Sequence, residues 1–354
     1  GSGGRRIVFP TTTRASAIWT LLWGRLMQFL NSIGQRVLFG LVLLLAVLVL
    51  NFTLIHMAPG DPADVIAGEM GGATEEMMAS IRKAYGLDRP FHEQLFSYVG
   101  KVFQGDLGYS YYFDQPVTEL IFERLSATLL LVLTSLFLAI FLGTFLGVFA
   151  SQNPNGMLSH FVTLLALLGY SLPVFWTGIM LLILLAAPPV DLFPIAGMYD
   201  VTKDGGTFDY ILDVLHHLIL PVVTLSTIYL AFYSRLSRAS MLDVLGADYI
   251  RTARAKGLSE RVVVYKHALR NGVLPVVTFA GLQFSQLFSG AVLVETVFSW
   301  PGLGTLAFDS IGRRDTPMLL GILFFSALIV IVANILTDIS YRLIDPRIKT
   351  GMKT

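Results

Sequence analysis

The side chains able to do chemistry are few in this chain, and the densest group of them lies in one stretch, Ser240 to Gly257, SMLDVLGADYIRTARAKG. Set between long apolar runs, it reads as a polar, amphipathic helix. Ser240 and Asp243 have the spacing of a capping box, in which a side chain takes up a free amide of the first turn. Arg251, Arg254 and Lys256 fall in the closing turns, where cations complement the helix dipole, and Gly257 suits the left-handed residue that ends a helix. Ala253 and Gly257, at i and i+4, offer a small-residue face on which a partner can seat closely. The chemistry implied is recognition: a helix docking into a groove of another protein.

Catalysis finds no residues to carry it. There is no G-x-x-x-x-G-K-[ST] run to cradle a nucleotide phosphate, so ATP hydrolysis by this chain alone is excluded and any energy source must be a partner. There is no H-E-x-x-H and no G-x-S-x-G, and Gly169 to Pro173, GYSLP, is only superficially similar to the latter. No metal site and no cofactor are expected. With no cysteine at all, no disulfide can brace a loop.

The elements that must position the docking helix are membrane spans. Hydrophobic residues make up 54% of the 354 residues and charged ones 14%, and apolar runs of about 20 residues recur, the length that crosses a bilayer as a helix. Six are read: Val37 to Met57, Ala127 to Ala150, Phe161 to Ala187, Leu218 to Ser234, Val273 to Phe298 and Met318 to Leu336. Runs such as GLVLLLAVLVL are apolar on every face, unlike the one-sided helices of a soluble core. Of the 25 Lys and Arg, five precede the first span, eight lie in Arg235 to Arg270 and four follow the last span. The bias of such residues to the cytoplasmic side then places both termini and the docking helix in the cytoplasm.

The opening GSGG reads as a cloning scar. Ala17 to Leu30, with Trp19, Trp23, Arg25 and Gln28, reads as an interfacial helix. Val37 to Met57 has spanning length and no small-residue cleavage site, so a retained span is expected. The turn PGDPAD, Pro59 to Asp64, ends it. In the outer segment beyond, Thr74 caps a helix with Glu75 and Glu76 in its first turn, Arg82 and Lys83 in its last, and Gly86 closing it. A second helix runs from near Asp88 and Pro90 to about Phe103, and GDLG, Gly105 to Gly108, turns the chain. Tyr109, Tyr111, Tyr112 and Phe113 suit either the membrane interface or a peptide-like ligand.

Ionisable residues in spans mark ion pathways, and here His56, His216, His217, Arg235, Glu295 and Asp338 all lie near span ends, where capping or snorkelling accounts for them. Span interiors hold Asn51, Ser171, Gln283, Ser285, Gln286, Ser289 and Asn334 instead. Such neutral groups glue helices together, or line a watery path for a zwitterion. The candidates for a path are Ser171, Pro173, whose ring frees a backbone carbonyl at mid-span, Gln283, Gln286 and Ser289.

Eight motifs in order resemble the first permease subunit of bacterial ABC importers for dipeptides, oligopeptides and nickel. They are HMAPGDP (His56 to Pro62), YGLDRP with GDLGYS (Tyr85 to Pro90, Gly105 to Ser110), SLPVFWTG (Ser171 to Gly178), DYIRTARAKGLS (Asp248 to Ser259), HALRNGVLPV (His267 to Val276), FSWPGLG (Phe298 to Gly304), RRDTP (Arg313 to Pro317) and DPRI (Asp345 to Ile348).

The resemblance implies an all-α integral membrane protein with six transmembrane helices, the type I ABC importer permease fold, and a helical outer (periplasmic) segment after the first span. It divides the chain into an N-terminal segment 1–36, a first span 37–57, a periplasmic segment 58–124, a permease domain 125–341 and a cytoplasmic tail 342–354. It places Arg251 to Gly257 at the EAA-x-x-x-G loop, with Arg251 where the general motif has an acidic residue. ATPase coupling would fall to Asp248, Tyr249, Arg251, Thr252, Ala253, Arg254, Ala255, Lys256 and Gly257. The outer gate and binding-protein contacts would be Asp61, Asp106, Tyr109, Trp300, Arg313 and Asp315.

Implied partners are a second homologous permease, two cytoplasmic ATPases that bind the ATP and Mg, a periplasmic or lipid-anchored solute-binding protein, and membrane lipid, with no nucleic acid. The location implied is the bacterial cytoplasmic (inner) membrane, multi-pass. Nickel complexes, glutathione or opines are the alternative cargoes, and a stand-alone ion-coupled secondary transporter is the alternative mechanism.

Overall fold

The computed structural model describes residues 13–57, 74–85, 88–110, 112–203 and 205–344. Among them the chain is helical apart from one antiparallel pair of two-residue strands. Lipid demands this, since a spanning chain has no water to satisfy its amides and must close its hydrogen bonds within the segment. The chain divides into two units, residues 1–47 and 48–354.

Thr13–Met57 (α1) is one helix of 45 residues. A separate interfacial helix over Ala17 to Leu30 does not form, because nothing between it and the span stops the ladder. Gly34 costs about 1 kcal/mol relative to Ala, and no proline intervenes. Ile33–Leu54 within α1 is long and apolar enough to cross a membrane.

The segment after α1 holds Glu75–Tyr85 (α2) and Phe91–Phe103 (α3). Thr74 Oγ1 accepts from the Met77 amide at 3.4 Å, the cap expected there. Gly86 and the PGDPAD turn lie outside the described residues. Tyr98 of α3 packs on Phe52 with ring centroids 5.3 Å apart, and burial pushes its phenol above the usual tyrosine range. GDLG turns the chain as expected, Gly105 and Gly108 adopting φ of 83° and 93° that side-chain-bearing residues resist, with Asp106 Oδ1 accepting from the Gly108 amide at 2.9 Å. The strands Tyr109–Ser110 (β1) and Gln115–Pro116 (β2) follow; two-residue strands carry too short a pattern to be read from sequence.

Next come Val117–Gln152 (α4), Met157–Ser171 (α5), Val174–Leu181 (α6) with a π-helical turn Leu182–Ala186, and Thr207–Leu245 (α7). Beyond them lie Asp248–Ala255 (α8), Glu260–Val262 (α9), a π-helical segment Val263–Ala268, Leu269–Gly272 (α10), Leu274–Val297 (α11), Leu303–Arg313 (α12) and Thr316–Ile344 (α13). Among the described residues four helices are long and apolar enough to span, or up to six if each of two bent pairs is one span. The first pair corrects the reading of Phe161 to Ala187 as a single helix, for α5 and the α6 stretch meet at 107°. Pro173 offers no amide, and Leu172 before it is extended at φ −90°, ψ 133°, so the helix stops outright. The second pair bends by 54° between Ala280 and Gln283.

The bundle is organised on α4 against α7. A Cβ added at Gly147 would lie 2.5 Å from the Ser234 carbonyl oxygen, and one at Gly143 would lie 2.7 Å from Tyr233 Cβ. These i,i+4 glycines let two backbones approach closely, which matters because lipid supplies no hydrophobic drive between helices. Ser237 Oγ donates across the seam to the Thr144 carbonyl at 3.2 Å. Leu131, Leu225, Leu287, Phe298, Trp300 and Met318, drawn from α4, α7, α11, the turn after it and α13, are fully buried in one core.

The segment before α7 is clipped to it by Asp213, which accepts from the Asp200 amide and from Lys203 Nζ, each at 2.6 Å. The hydrogen bond to Asp213 pushes the Lys203 ammonium above its ordinary pKa. Thr202, donating to Asp200, pulls that carboxyl below the usual carboxylate range.

Two outcomes follow from this packing. Gly147→Leu should lower the thermal unfolding midpoint in detergent by forcing α4 off α7, at about 1–3 kcal/mol, whereas Gly100→Ala, with open space around it, should not. Equal midpoints would show that the close approach does not hold the bundle. For the clip, a raised lysine contributes stability that is complete below its ordinary value of about 10.4 and lost as pH climbs through the raised one. A lowered carboxyl contributes above about 3.9 and loses this as pH falls through the lowered one. Hydrogen exchange at the Asp200 amide should therefore be slow across the neutral range and quicken at alkaline pH beyond its intrinsic rise; Lys203→Met should remove that alkaline step.

Candidate functional site

The helix expected over Ser240 to Gly257 is shorter than the sequence suggests. Ser240 to Leu245 belong to α7, which ends at Gly246, and α8 opens at Asp248 with Ala247 as its cap residue. The Ser240 and Asp243 capping box therefore does not form, because α7 already supplies carbonyl partners for those amides. The far end is as expected, with Gly257 left-handed at φ 78°.

α8 has two faces. Ile250 and Ala253 point inward, packing with Val148, Met241, Val263, Val264 and Ala268 in one cluster. The expectation that Ala253 seats on a partner is corrected by this burial, and Ala253 serves the chain's own core. Asp248, Tyr249, Arg251, Thr252, Arg254, Ala255, Lys256 and Gly257 are exposed. Arg254 forks onto Glu260 across the turn, Nε to Oε1 at 2.8 Å, and Tyr249 Oη accepts from Asn271 Nδ2 at 2.9 Å. Arg251 and Asp248 pair loosely at 3.6 Å and are largely in solvent. Sequence reasoning missed Glu260 and Asn271, since contacts across a turn and across a helix pair leave no periodic signal. It also missed the π-helical segment beneath α8, a deviation that recurs at functional positions.

The path candidates separate. Ser171 and Pro173 are exposed at the α5–α6 break. Gln286 and Ser289 are exposed on α11, while Gln283 is buried and its Oε1 has no partner. Ser285 donates to Asn334 on α13 at 3.3 Å, so part of the polar strip is glue between helices. The three α11 candidates do not share one exposed face: Gln283 is buried beside the 54° bend, and Gln286 and Ser289 are exposed beyond it.

The outer candidates separate likewise. Asp61 lies outside the described residues, as does the DPRI motif. Asp106 is exposed at its turn, and Tyr109 Oη donates to Asp114 at 2.7 Å. Arg313 is exposed with its guanidinium 4.5 Å from the Tyr112 ring centre. Trp300 is fully buried and donates through Nε1 to the Ala127 carbonyl at 2.9 Å, which corrects its assignment to an exposed gate. Asp315 is buried too, accepting from Ser110 Oγ and from the Met318 amide, so it pins β1 to the start of α13. Of capping and snorkelling, Glu295 does the first: it is fully buried, accepts from the Gly304 and Thr305 amides and has Thr128 of α4 beside it. Among the described residues no group of three or more His, Cys, Asp or Glu is placed to hold a metal ion.

Among the described residues, helices of membrane-spanning length form a bundle, and the short polar helix α8 packs on it through Ile250 and Ala253. Its fold is that of the type I ABC importer permeases. A solved structure of the MetNI methionine ABC transporter aligns with a TM-score of 0.50 at 18% identity, covering 64% of this chain and 96% of that one. Residues 139–350 match the family described as binding-protein-dependent transport system inner membrane component, and residues 26–132 match its N-terminal counterpart. The chain belongs to that family. It is 41% identical over 328 residues to the dipeptide transport system permease protein DppB of Escherichia coli (strain K12), covering 88% of this chain and 96% of the relative. It is 39% identical over 317 residues to the oligopeptide transport system permease protein AppB of Bacillus subtilis (strain 168), covering 89% and 98%.

Thiol chemistry can check the α11 geometry in the cysteine-free background. In the assembled transporter, Gln286→Cys and Ser289→Cys should react with a small water-soluble maleimide, and Gln283→Cys should stay inert until the protein is unfolded. Equal rates at all three positions would contradict the burial of Gln283 beside the bend.

Proposed function

We propose that the chain is one permease subunit of an ATP-driven importer of di- and oligopeptides and forms half of its translocation path. The observation that carries this is the likeness along nearly the whole length of DppB and AppB, whose names state dipeptide and oligopeptide transport. In this reading residues 125–341 are the permease domain and 58–124 an outer platform, with both termini in the cytoplasm of a bacterium. The chain binds no cofactor; two ATPase subunits hold ATP and Mg, a second permease completes the path, and a solute-binding protein delivers peptide from outside.

The exposed face of α8 is the ATPase dock. Tyr249 gives it an amphipathic anchor of the kind that dominates interface energetics, and Arg251 and Lys256 give it positive charge that steers an acidic groove. The inward residues Ile250 and Ala253 hold that face at a fixed attitude.

Charge reversal tests the dock. Arg251→Glu with Lys256→Glu, both in solvent and away from the core, should leave the permease at normal yield. The ATPases should no longer co-purify, like charges at an interface costing several kcal/mol. At about 3 kcal/mol the loss is roughly a hundredfold in affinity. Co-purification at the wild-type ratio would sink the dock. The cargo is tested separately by uptake of labelled dipeptide into proteoliposomes carrying the four membrane-associated subunits and the binding protein.

A further inference from the structure

The turn that joins α11 to α12 is welded at a carboxylate. Glu295, on the last turn of α11, is fully buried in a chain where charged side chains are scarce. Its Oε2 accepts from the Gly304 amide at 2.6 Å and the Thr305 amide at 3.2 Å, two of the free donors at the start of α12. Its Oε1 accepts from Thr128 Oγ1 on α4 at 2.6 Å. The same hydroxyl oxygen accepts from the Leu303 amide at 2.8 Å, so one Thr and one Glu take up three amides of the first turn of α12. Next to Thr128, the Ala127 carbonyl receives Trp300 Nε1. The glycines of the turn are required by this contact, since a Cβ on Gly302 would fall on the Glu295 carboxylate and one on Gly304 would lie 2.5 Å from Val292 Cα.

Ordinary capping would not need a carboxylate reaching from another helix. A residue on α12 itself could serve, at no cost in burying a charge-bearing group. What the present arrangement adds is a fixed joint between three elements. Downward from that joint, α11 leads through α10 to the π-helical segment, whose Val263, Val264 and Ala268 pack on Ile250 and Ala253 of α8. One continuous stretch of chain therefore carries the proposed ATPase dock at one end and α12 at the other, with α11 as the only long helix between.

We propose that Glu295, acting with Thr128, is a positioning residue for transport: it makes α12, the end of α11 and the start of α4 move as one body, so that a load on α12 from the binding protein reaches α8. This rests on the importer reading above. Removing the joint leaves the dock and the bundle intact and interrupts the transmission between them.

The test uses the complete transporter in proteoliposomes, with ATPase activity measured alone and with its cognate binding protein saturated with a mixture of di- and tripeptides. Glu295→Gln and the isosteric Thr128→Val should assemble at wild-type yield and keep basal activity. Their stimulation by loaded binding protein should fall about 2- to 30-fold, the range of single-residue effects on coupling. Thr128→Ser, which keeps the hydroxyl, should restore it. Unchanged stimulation in assembled Thr128→Val would overturn the proposal. So would a parallel fall of yield, basal activity and stimulation in Thr128→Val that Thr128→Ser does not separate, since that marks a merely structural role. If the wild-type complex itself shows no stimulation, the importer reading falls, and this inference with it.

Discussion

The constraint from which the fold follows is the close approach of α4 and α7 at Gly143 and Gly147. In lipid an apolar side chain gains nothing by leaving the solvent for a neighbouring helix, so packing and a few cross-helix hydrogen bonds must hold the bundle. Two glycines one turn apart let the α4 backbone reach the carbonyls of α7, and Ser237 bonds across the gap. With that pair set, α4 presents Ala127 and Thr128 to the turn after α11, and α7 presents Met241 to the cluster beneath α8. The Glu295 joint and α8 thus hang on opposite ends of one helix pair.

That arrangement explains why α8 can be both polar and firmly placed. Isolated, an eight-residue helix would hardly form, because nucleation is costly and few bonds repay it. Its stability comes from Ile250 and Ala253, buried against the π-helical segment, and from the Arg254 fork onto Glu260 that closes the following turn. Arg251 and Lys256, exposed on the outward face, take no part in that packing.

The spans, the outer helices and the polar stretch were legible because each rests on local signals: apolar length, Thr74 before Glu75 and Glu76, Pro and Gly at the turns. What was not legible depends on neighbours. Leu172 and Pro173 announced a disturbance, but its 107° size is set by packing. Ala253 sits in a polar stretch and Trp300 in a motif that the resemblance assigned to the outer gate, yet their burial is fixed by tertiary partners that sequence spacing does not encode. Glu295 was visible as a carboxylate at the edge of an apolar run; that its partners are Thr128 and the Gly304 and Thr305 amides could not be read, since Thr128 lies on a distant span. The boundary at Gly246 was hidden for the opposite reason, because a capping sequence at Ser240 is overridden when a preceding helix already continues through it.

The π-helical segment Val263–Ala268 sets a phase. An α-helix turns about 100° per residue, and an i→i+5 turn accommodates one residue more than the α-helical turn it replaces. The chain between α8 and α11 therefore contains, in effect, one residue of slack stored as winding. Were that turn to tighten to α-helical hydrogen bonding with α8 held still, the part of α11 before its bend at Ala280 would rotate by roughly 100°, enough to carry Val276 out of its buried cluster. Length alone thus ties which side chains α11 shows to its neighbours to the winding state of six residues at its foot.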